Sequence, residues 1–174
     1  MELDLRHYIR DVADWPKPGI VFKDITPLLR DPGALAMAVE QMVNPFRGKH
    51  IDIVAGAESR GFIFGTAIAQ ALSAGFVPIR KPKKLPWKTH SRRYDLEYGS
   101  DELHIHQDAI EPGQRVLLAD DLLATGGTMR ACCDLVDAMG CELVGVAFLI
   151  ELTFLSGRDR LGKFEKLVQS AVKY

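Results

Sequence analysis

Cysteine is scarce in this chain: Cys132, Cys133 and Cys141 are three in 174 residues, two of them neighbours, with no C-x-x-C spacing. That excludes a disulfide framework and gives no sign of a structural zinc site. An excess of charge of either sign is also missing. Twenty-two Lys and Arg oppose 23 Asp and Glu for a formal net charge of −1, which argues against a protein that wraps nucleic acid and leaves room only for a local basic patch. No apolar run approaches the ~18–20 residues that cross a bilayer. The opening Met1-Glu2-Leu3-Asp4-Leu5-Arg6 has neither the basic nor the apolar region of a secretory leader. Repeats, low-complexity tracts and long linkers are absent. What remains is 47% hydrophobic and 26% charged, a composition and length that predict one globular domain over 1–174. Its expected setting is the reducing cytoplasm, with no membrane and no nucleic acid as partner.

The apolar residues set the elements. Leu5, Tyr8, Ile9 and Val12 predict a short amphipathic helix over 2–13. Pro16-Lys17-Pro18-Gly19 ends it, and 19–27 reads as extended chain closing in a turn. Asp31-Pro32, a cap and then a proline, opens a helix to about Val43 with Leu35, Val39, Met42 and Val43 on one face. Strands follow at 51–55, 76–79, 115–119 and 143–150. Helical stripes separate them, one through Phe64, Ala67, Ile68, Ala71 and Leu72 and another through Met129, Cys132, Cys133 and Val136. Continuous apolar strands alternating with helices predict a mostly parallel central sheet flanked by helices, with ligands at the carboxyl ends of the strands.

The stretch 81–114 breaks this rhythm. It opens on a basic cluster of Arg80, Lys81, Lys83 and Lys84, and then alternates with period two on either side of Gly99. This predicts a projecting β-hairpin of the kind that serves as a lid or binding loop.

The strongest chemical signal is Val116-Leu117-Leu118-Ala119-Asp120-Asp121-Leu122-Leu123-Ala124-Thr125-Gly126-Gly127-Thr128. A buried strand delivers two carboxylates, a loop of small residues follows, and a helix starts near Gly127. Loop amides and a helix N-terminus receive phosphate, and glycines let the backbone approach it. The hydroxyls of Thr125 and Thr128 add donors, while ionised Asp120 and Asp121 are acceptors suited to the 2′- and 3′-hydroxyls of a sugar. The opposing reading is a solvated strand end followed by an ordinary helix cap. The joint pattern in register favours a ribose 5-phosphate site.

Apolar strand, acidic pair and Ala-Thr-Gly-Gly-Thr together resemble the phosphoribosyl diphosphate signature of the type I phosphoribosyltransferases, and the likeness covers most of the chain. The segments 19–28 (GIVFKDITPL), Ser59-Arg60-Gly61-Phe62 and Leu96-Glu97-Tyr98-Gly99 resemble the adenine-using members in particular. Where enzymes for 6-oxopurines usually carry an aspartate, this chain has Ala124, which favours adenine.

The resemblance implies transfer of a phosphoribosyl group from phosphoribosyl diphosphate to adenine, giving AMP and pyrophosphate. It further implies Mg²⁺ held mainly by the pyrophosphate and ribose of the substrate, no metal ligands of the protein's own, and a homodimer. It assigns the ribose to Asp120 and Asp121, and the 5-phosphate to Ala124, Thr125, Gly126, Gly127 and Thr128. Pyrophosphate falls to Glu58, Ser59, Arg60, Arg80, Lys81 and Lys84; the family commonly has a cis peptide before this serine, but often with aspartate where this chain has Glu58, which leaves the isomer of Glu58-Ser59 open. Adenine falls to Val21, Phe22 and Lys23, in a hood within an N-terminal segment 1–30. Glu97 becomes the general acid–base group and Tyr98 a cover over the reaction centre, both in a flexible lid at 81–114. The alternatives are a hypoxanthine, guanine or xanthine transferase, and a non-catalytic regulator with the same fold.

Three features stand outside this scheme. Gly157-Arg158-Asp159-Arg160-Leu161-Gly162-Lys163-Phe164 nearly spells a P-loop but has Phe164 where a Ser or Thr would hold Mg²⁺, and reads better as a helix end. His104 and His106 share a strand face without a third ligand. Cys132 and Cys133 read as core.

Overall fold

The computed structural model describes residues 4–96 and 99–174, which form two compact units, Met1–Gln41 and Met42–Tyr174. In the first, the helix expected over 2–13 is replaced by a 3₁₀ turn, Leu5–Tyr8, and a strand β1, Arg10–Ala13. Asp4 caps the turn by accepting from the Arg6 N–H at 3.0 Å. From Arg10 onward the chain pairs antiparallel with β2, Val21–Asp24, in the register Arg10↔Asp24 to Ala13↔Val21. A ladder partner outweighs a weak helical pattern here, because Ile9, Asp11 and Val12 are poor helix formers. The connecting turn closes as the Gly19 N–H reaches Asp14 Oδ1 at 2.8 Å, with both residues at positive φ. A turn was also expected at Thr26-Pro27. Instead, Asp24 accepts from the Thr26 N–H and hydroxyl, both at 2.9 Å, and starts a one-turn helix α1, Thr26–Arg30. Helix α2 runs Pro32–Val43, as the Asp31-Pro32 signal predicts, with Asp31 Oδ1 accepting from the Ala34 N–H. Its buried positions are Ala34, Ala38, Met42 and Val43, while Leu35 and Val39 lie at the margin.

The second unit alternates strand and helix: β3 Ile53–Ala57, α3 Arg60–Leu72, β4 Gly75–Ile79, the hairpin β5 Thr89–Asp95 and β6 Ser100–His106, β7 Arg115–Leu123, α4 Gly127–Ala138, β8 Glu142–Glu151, a short α5 Gly157–Arg160, and β9 Val168–Lys173. Five strands make a wholly parallel sheet in the order β4-β3-β7-β8-β9. The α/β class and flanked parallel sheet match the sequence expectation. β9, with its mixed Val-Gln-Ser-Ala-Val-Lys, gives no such signal on its own. From the centre the chain winds one way through β3 and β4 and the other way through β7, β8 and β9. The order therefore reverses between β3 and β7, and a crevice opens beyond the carboxyl ends of those two strands.

The core of this unit is built on Val116 to Ala119 of β7 and on Cys132, Cys133 and Val136 of α4, all without solvent contact. The α3 stripe falls on Gly61, Phe64, Gly65, Ile68 and Ala69, leaving Ala71 exposed. The hairpin exists but does not simply project. Leu103 and Ile105 of β6 are buried in the core, and Arg80 and His104 exchange backbone hydrogen bonds of 2.9 and 2.7 Å. The histidine side chains serve the hairpin itself: His104 Nδ1 pairs with Thr89 Oγ1 at 2.9 Å, and His106 Nε2 accepts from the Trp87 N–H at 3.3 Å.

At the end of β8 the carboxylate of Glu151 is 5% exposed and takes the Arg158 fork at 2.9 and 2.7 Å and the Ser170 hydroxyl at 2.6 Å. Arg158 and Ser170 hold that carboxyl below the usual range against the opposing effect of burial. Glu151→Leu strands the guanidinium, and should lower stability by about 3 kcal/mol, seen as a drop in Tm of roughly 6–12 °C. Because the folded pKa is depressed, this contribution exists above the unfolded value near 4.3 and is lost as pH falls through the folded one. The gap in Tm between wild type and variant should therefore close in acid.

Candidate active site

At the carboxyl end of β3 the peptide joining Glu58 to Ser59 is cis. Glu58 Oε1 accepts from the Lys81 N–H at 2.7 Å and from Arg80 Nε at 3.2 Å, so this acid ties the β3–α3 loop to the end of β4. Ser59 occupies the N-cap place of α3 without using its hydroxyl as a cap. Arg60, first in the helix, turns across the crevice. Its Nη2 stands 2.7 Å from Asp121 Oδ2, at ion-pair distance but outside hydrogen-bond angle.

From the other side β7 arrives, four residues longer than the 115–119 run predicts. Pairing of Asp120↔Phe148, Leu122↔Ile150 and Leu123↔Glu151 with β8 carries the ladder past the acidic pair. The pair is thus part of the strand, not a solvated strand end. Asp121 is only 5% exposed. Asp120 is half-buried, and its Oδ1 accepts the Asp121 N–H at 2.9 Å. Burial, and then the charge of Asp121, push the Asp120 carboxyl well above the carboxylate range. Burial also raises Asp121, against the pull of the Arg60 guanidinium. Gly61 is needed beside this pair, since a Cβ there would stand 2.8 Å from Asp120 Oδ1.

The strand ends in the loop 124–126, and α4 begins at Gly127. Gly126 has φ +84°, and a Cβ on it would lie 2.3 Å from the Gly157 carbonyl oxygen. Gly157 is equally confined, its Cβ position falling 2.1 Å from the Ala124 oxygen. The loop therefore rests on the backbone of α5. Thr128 Oγ1 lies 3.4 Å from the Tyr94 hydroxyl of β5. Arg60, Asp120, Asp121 and residues 122–129 enclose a cleft of about 240 Å³. It offers amide donors and a helix N-terminus at one end and acidic acceptors at the other, which suits a small polyhydroxylated phosphate.

Of the residues singled out in the sequence, this cleft brings together the acidic pair, the whole 124–128 loop and Arg60. Arg80 and Lys81 sit at the end of β4 instead. The ammonium of Lys81 is 2.5 Å from Asp101 Oδ2 on the hairpin, each raising or lowering the other in the sense of a stable pair. The Lys84 carbonyl accepts from Arg80 Nη1 at 3.4 Å. Val21, Phe22 and Lys23 belong to the first unit. There Val21 is half exposed, Phe22 packs edge-on to Trp15 at 4.4 Å, and Lys23 Nζ pairs with Asp11 at 2.6 Å. Glu97 and Tyr98 lie outside the described residues. Sequence reasoning passed over Gly157, Arg160 and Tyr94, which back the loop. The one local signal at Gly157 and Arg160, the near P-loop string at 157–164, points to the wrong chemistry.

A family model described as a phosphoribosyl transferase domain matches residues 29–166. The adenine phosphoribosyltransferase of Rhodopirellula baltica is 59% identical over 99% of this chain and 82% of its own length. The crystal structure of adenine phosphoribosyltransferase from Thermoanaerobacter pseudethanolicus superposes with a TM-score of 0.94 at 47% identity, covering 98% of both chains. That of the Saccharomyces cerevisiae enzyme, complexed with an imino-altritol bisphosphate and adenine, gives 0.90 at 37% identity over 96% of both.

Proposed function

As the chain belongs to the phosphoribosyl transferase family, and within it to the adenine phosphoribosyltransferases, we infer that it serves purine salvage by transferring the 5-phosphoribosyl group of phosphoribosyl diphosphate to adenine, yielding AMP and pyrophosphate. The observation that carries this reading is the single cleft joining Asp120 and Asp121 to the amide-lined loop 124–128 at the point where the strand order reverses.

Breaking the anomeric C–O bond puts positive charge on the ribose and negative charge on the departing pyrophosphate, and a catalyst must favour both. We assign the ribose hydroxyls to Asp120 and Asp121, whose negative charge also favours the cationic sugar. The 5-phosphate goes to the amides and hydroxyls of Ala124, Thr125, Gly126, Gly127 and Thr128. Pyrophosphate is assigned to Ser59, Arg60, Arg80, Lys81 and Lys84, with Glu58 positioning Arg80 and the Lys81 amide rather than touching the anion. Arg60 is already aimed at the cleft by Asp121. Adenine is assigned to main-chain groups of Val21, Phe22 and Lys23 in the 1–30 hood. Glu97 in the 81–114 lid exchanges a proton at purine N7, and Tyr98 excludes water.

Among the described residues no three metal-ligating side chains cluster. Mg²⁺ bound with the donor would supply charge neutralisation at the pyrophosphate, and Asp120 and Asp121 are the residues proposed to meet it through the ribose. A homodimer and a cytoplasmic setting complete the proposal. No helix among the described residues is long and apolar enough to cross a membrane.

The test supplies purified protein with phosphoribosyl diphosphate, Mg²⁺ and each purine in turn. Adenine should be used with kcat/KM at least roughly 100-fold above hypoxanthine or guanine, as expected of a site that pairs with the exocyclic amine. Hypoxanthine outcompeting adenine would overturn the base assignment.

A further inference from the structure

The string 157–164 that fails as a P-loop occupies a telling place. Helix α5 lies directly behind the phosphate loop and is fixed there. Arg158 is clamped by Glu151 and donates to the Val168 carbonyl at 3.1 Å, while Arg130 Nη1 reaches the carbonyls of Arg160 and Leu161 at 3.4 and 3.5 Å. From this platform the Arg160 side chain runs along the loop. Its Cβ is 3.3 Å from where a Gly126 Cβ would stand and its Cζ 3.5 Å from the corresponding point at Gly127. It then crosses to the hairpin, where Nη2 donates to the Asp95 carbonyl at 2.8 Å, a length proper to a charge-assisted bond. Asp95 ends β5, two positions before Glu97 in the sequence. The neighbouring Tyr94 packs on the same loop, its Cδ2 3.5 Å from the Gly127 Cβ position.

We propose that Arg160 is a positioning residue that couples the 5-phosphate loop to the hairpin lid, one side chain lying on the loop's two glycines and holding the carbonyl at the end of β5. This rests on the reading of 124–128 as the 5-phosphate site. A loop that tightens around phosphate moves the surface against which the guanidinium packs, and the hydrogen bond passes that change to the end of β5. The opposite strand is held separately, by Lys81 on Asp101. On the β5 side Arg160 acts beside Arg92, whose Nη2 pairs with Asp134 Oδ2 of α4 at 3.0 Å, and it alone joins the loop glycines to the last residue of the strand among the contacts described.

The experiment uses the full chain with ribose 5-phosphate as the probe, comparing wild type, Arg160→Met and Arg160→Gln. Calorimetry measures uptake of the probe, and amide hydrogen exchange follows 89–106 with and without it. Wild type should bind, and its hairpin should become protected. Arg160→Met keeps the aliphatic stem and removes the donors. It should bind with Kd within about threefold of wild type, exchange the hairpin roughly tenfold faster, and show no protection on binding. Its kcat/KM for phosphoribosyl diphosphate should fall about tenfold. Arg160→Gln should behave alike, so that a folding defect in one replacement does not decide the matter. Binding in both variants with wild-type exchange and protection of the hairpin overturns the coupling alone. Absence of heat with wild type overturns the phosphate-loop assignment and the coupling with it.

Discussion

Gly126→Ala should lower kcat/KM for phosphoribosyl diphosphate by about 10²-fold, because it displaces the proposed 5-phosphate loop as a whole. Two effects combine at this position. With φ at +84°, a β-carbon meets the ordinary cost of left-handed backbone, roughly 1–2 kcal/mol. The larger obstacle is the Gly157 carbonyl oxygen 2.3 Å from the new atom, with its carbon at 3.1 Å and Arg160 Cβ at 3.3 Å. Backbone that is itself anchored through Glu151 and Arg158 cannot yield as a flexible side chain would, so the loop must lift and its amides lose their aim. The empty protein should also lose about 2 kcal/mol and roughly 4–8 °C in Tm. Gly127→Ala supplies the contrast. Its β-carbon would meet nothing nearer than 3.5 Å, in ordinary contact with Arg160, Tyr94 and Asp95. The Tm of the empty protein should therefore hold within about 2 °C. Equal Tm values for the two variants would refute this account of the loop.

This contrast also shows what could be read from the chain beforehand. The candidate loop was legible as one contiguous run: strand, acids, small residues and helix start follow one another within a dozen positions, and they line a single cleft. Its support was not, because Gly157, Arg160 and Tyr94 meet the loop only after the β8 and hairpin excursions bring them back, and no local period encodes that. The same physics explains the errors in the elements. Leu5, Tyr8, Ile9 and Val12 fit a helix until Arg10 to Ala13 find a partner in β2, which lies outside the helical stretch 2–13 that carries the pattern. The length of β7 depends on the ten residues of β8 beside it, so burial of Asp121 was invisible where the strand was expected to stop at Ala119. The hairpin was legible from its period of two, but the burial of Leu103 and Ile105 against the sheet was not.

Asp120→Asn should make the empty protein more stable and the enzyme much worse. The asparagine keeps the shape and the oxygen that accepts the Asp121 N–H at 2.9 Å, but removes a carboxylate whose ionisation is opposed by burial and by its neighbour. The sign follows from proton linkage. A carboxyl whose folded pKa is raised binds more protons in the fold than in the unfolded chain. Stability is therefore lost as pH rises from the unfolded value near 3.9 through the folded one, and the whole loss is present above it. The advantage of Asp120→Asn should accordingly be small near pH 4 and grow as pH rises, so that relief of about 1 kcal/mol at neutral pH appears as roughly 2–4 °C in Tm. Catalysis moves the other way. If Asp120 meets the ribose as proposed, a charged acceptor for a hydroxyl and a negative charge beside a cationic sugar disappear together, and kcat/KM should drop about 10²-fold. On the proposed assignment, the burial and mutual repulsion of the two carboxylates would be offset by the ribose hydroxyls they accept from. A variant that loses activity while its Tm advantage is flat across pH would show that Asp120 acts through shape alone and would remove the electrostatic half of this account.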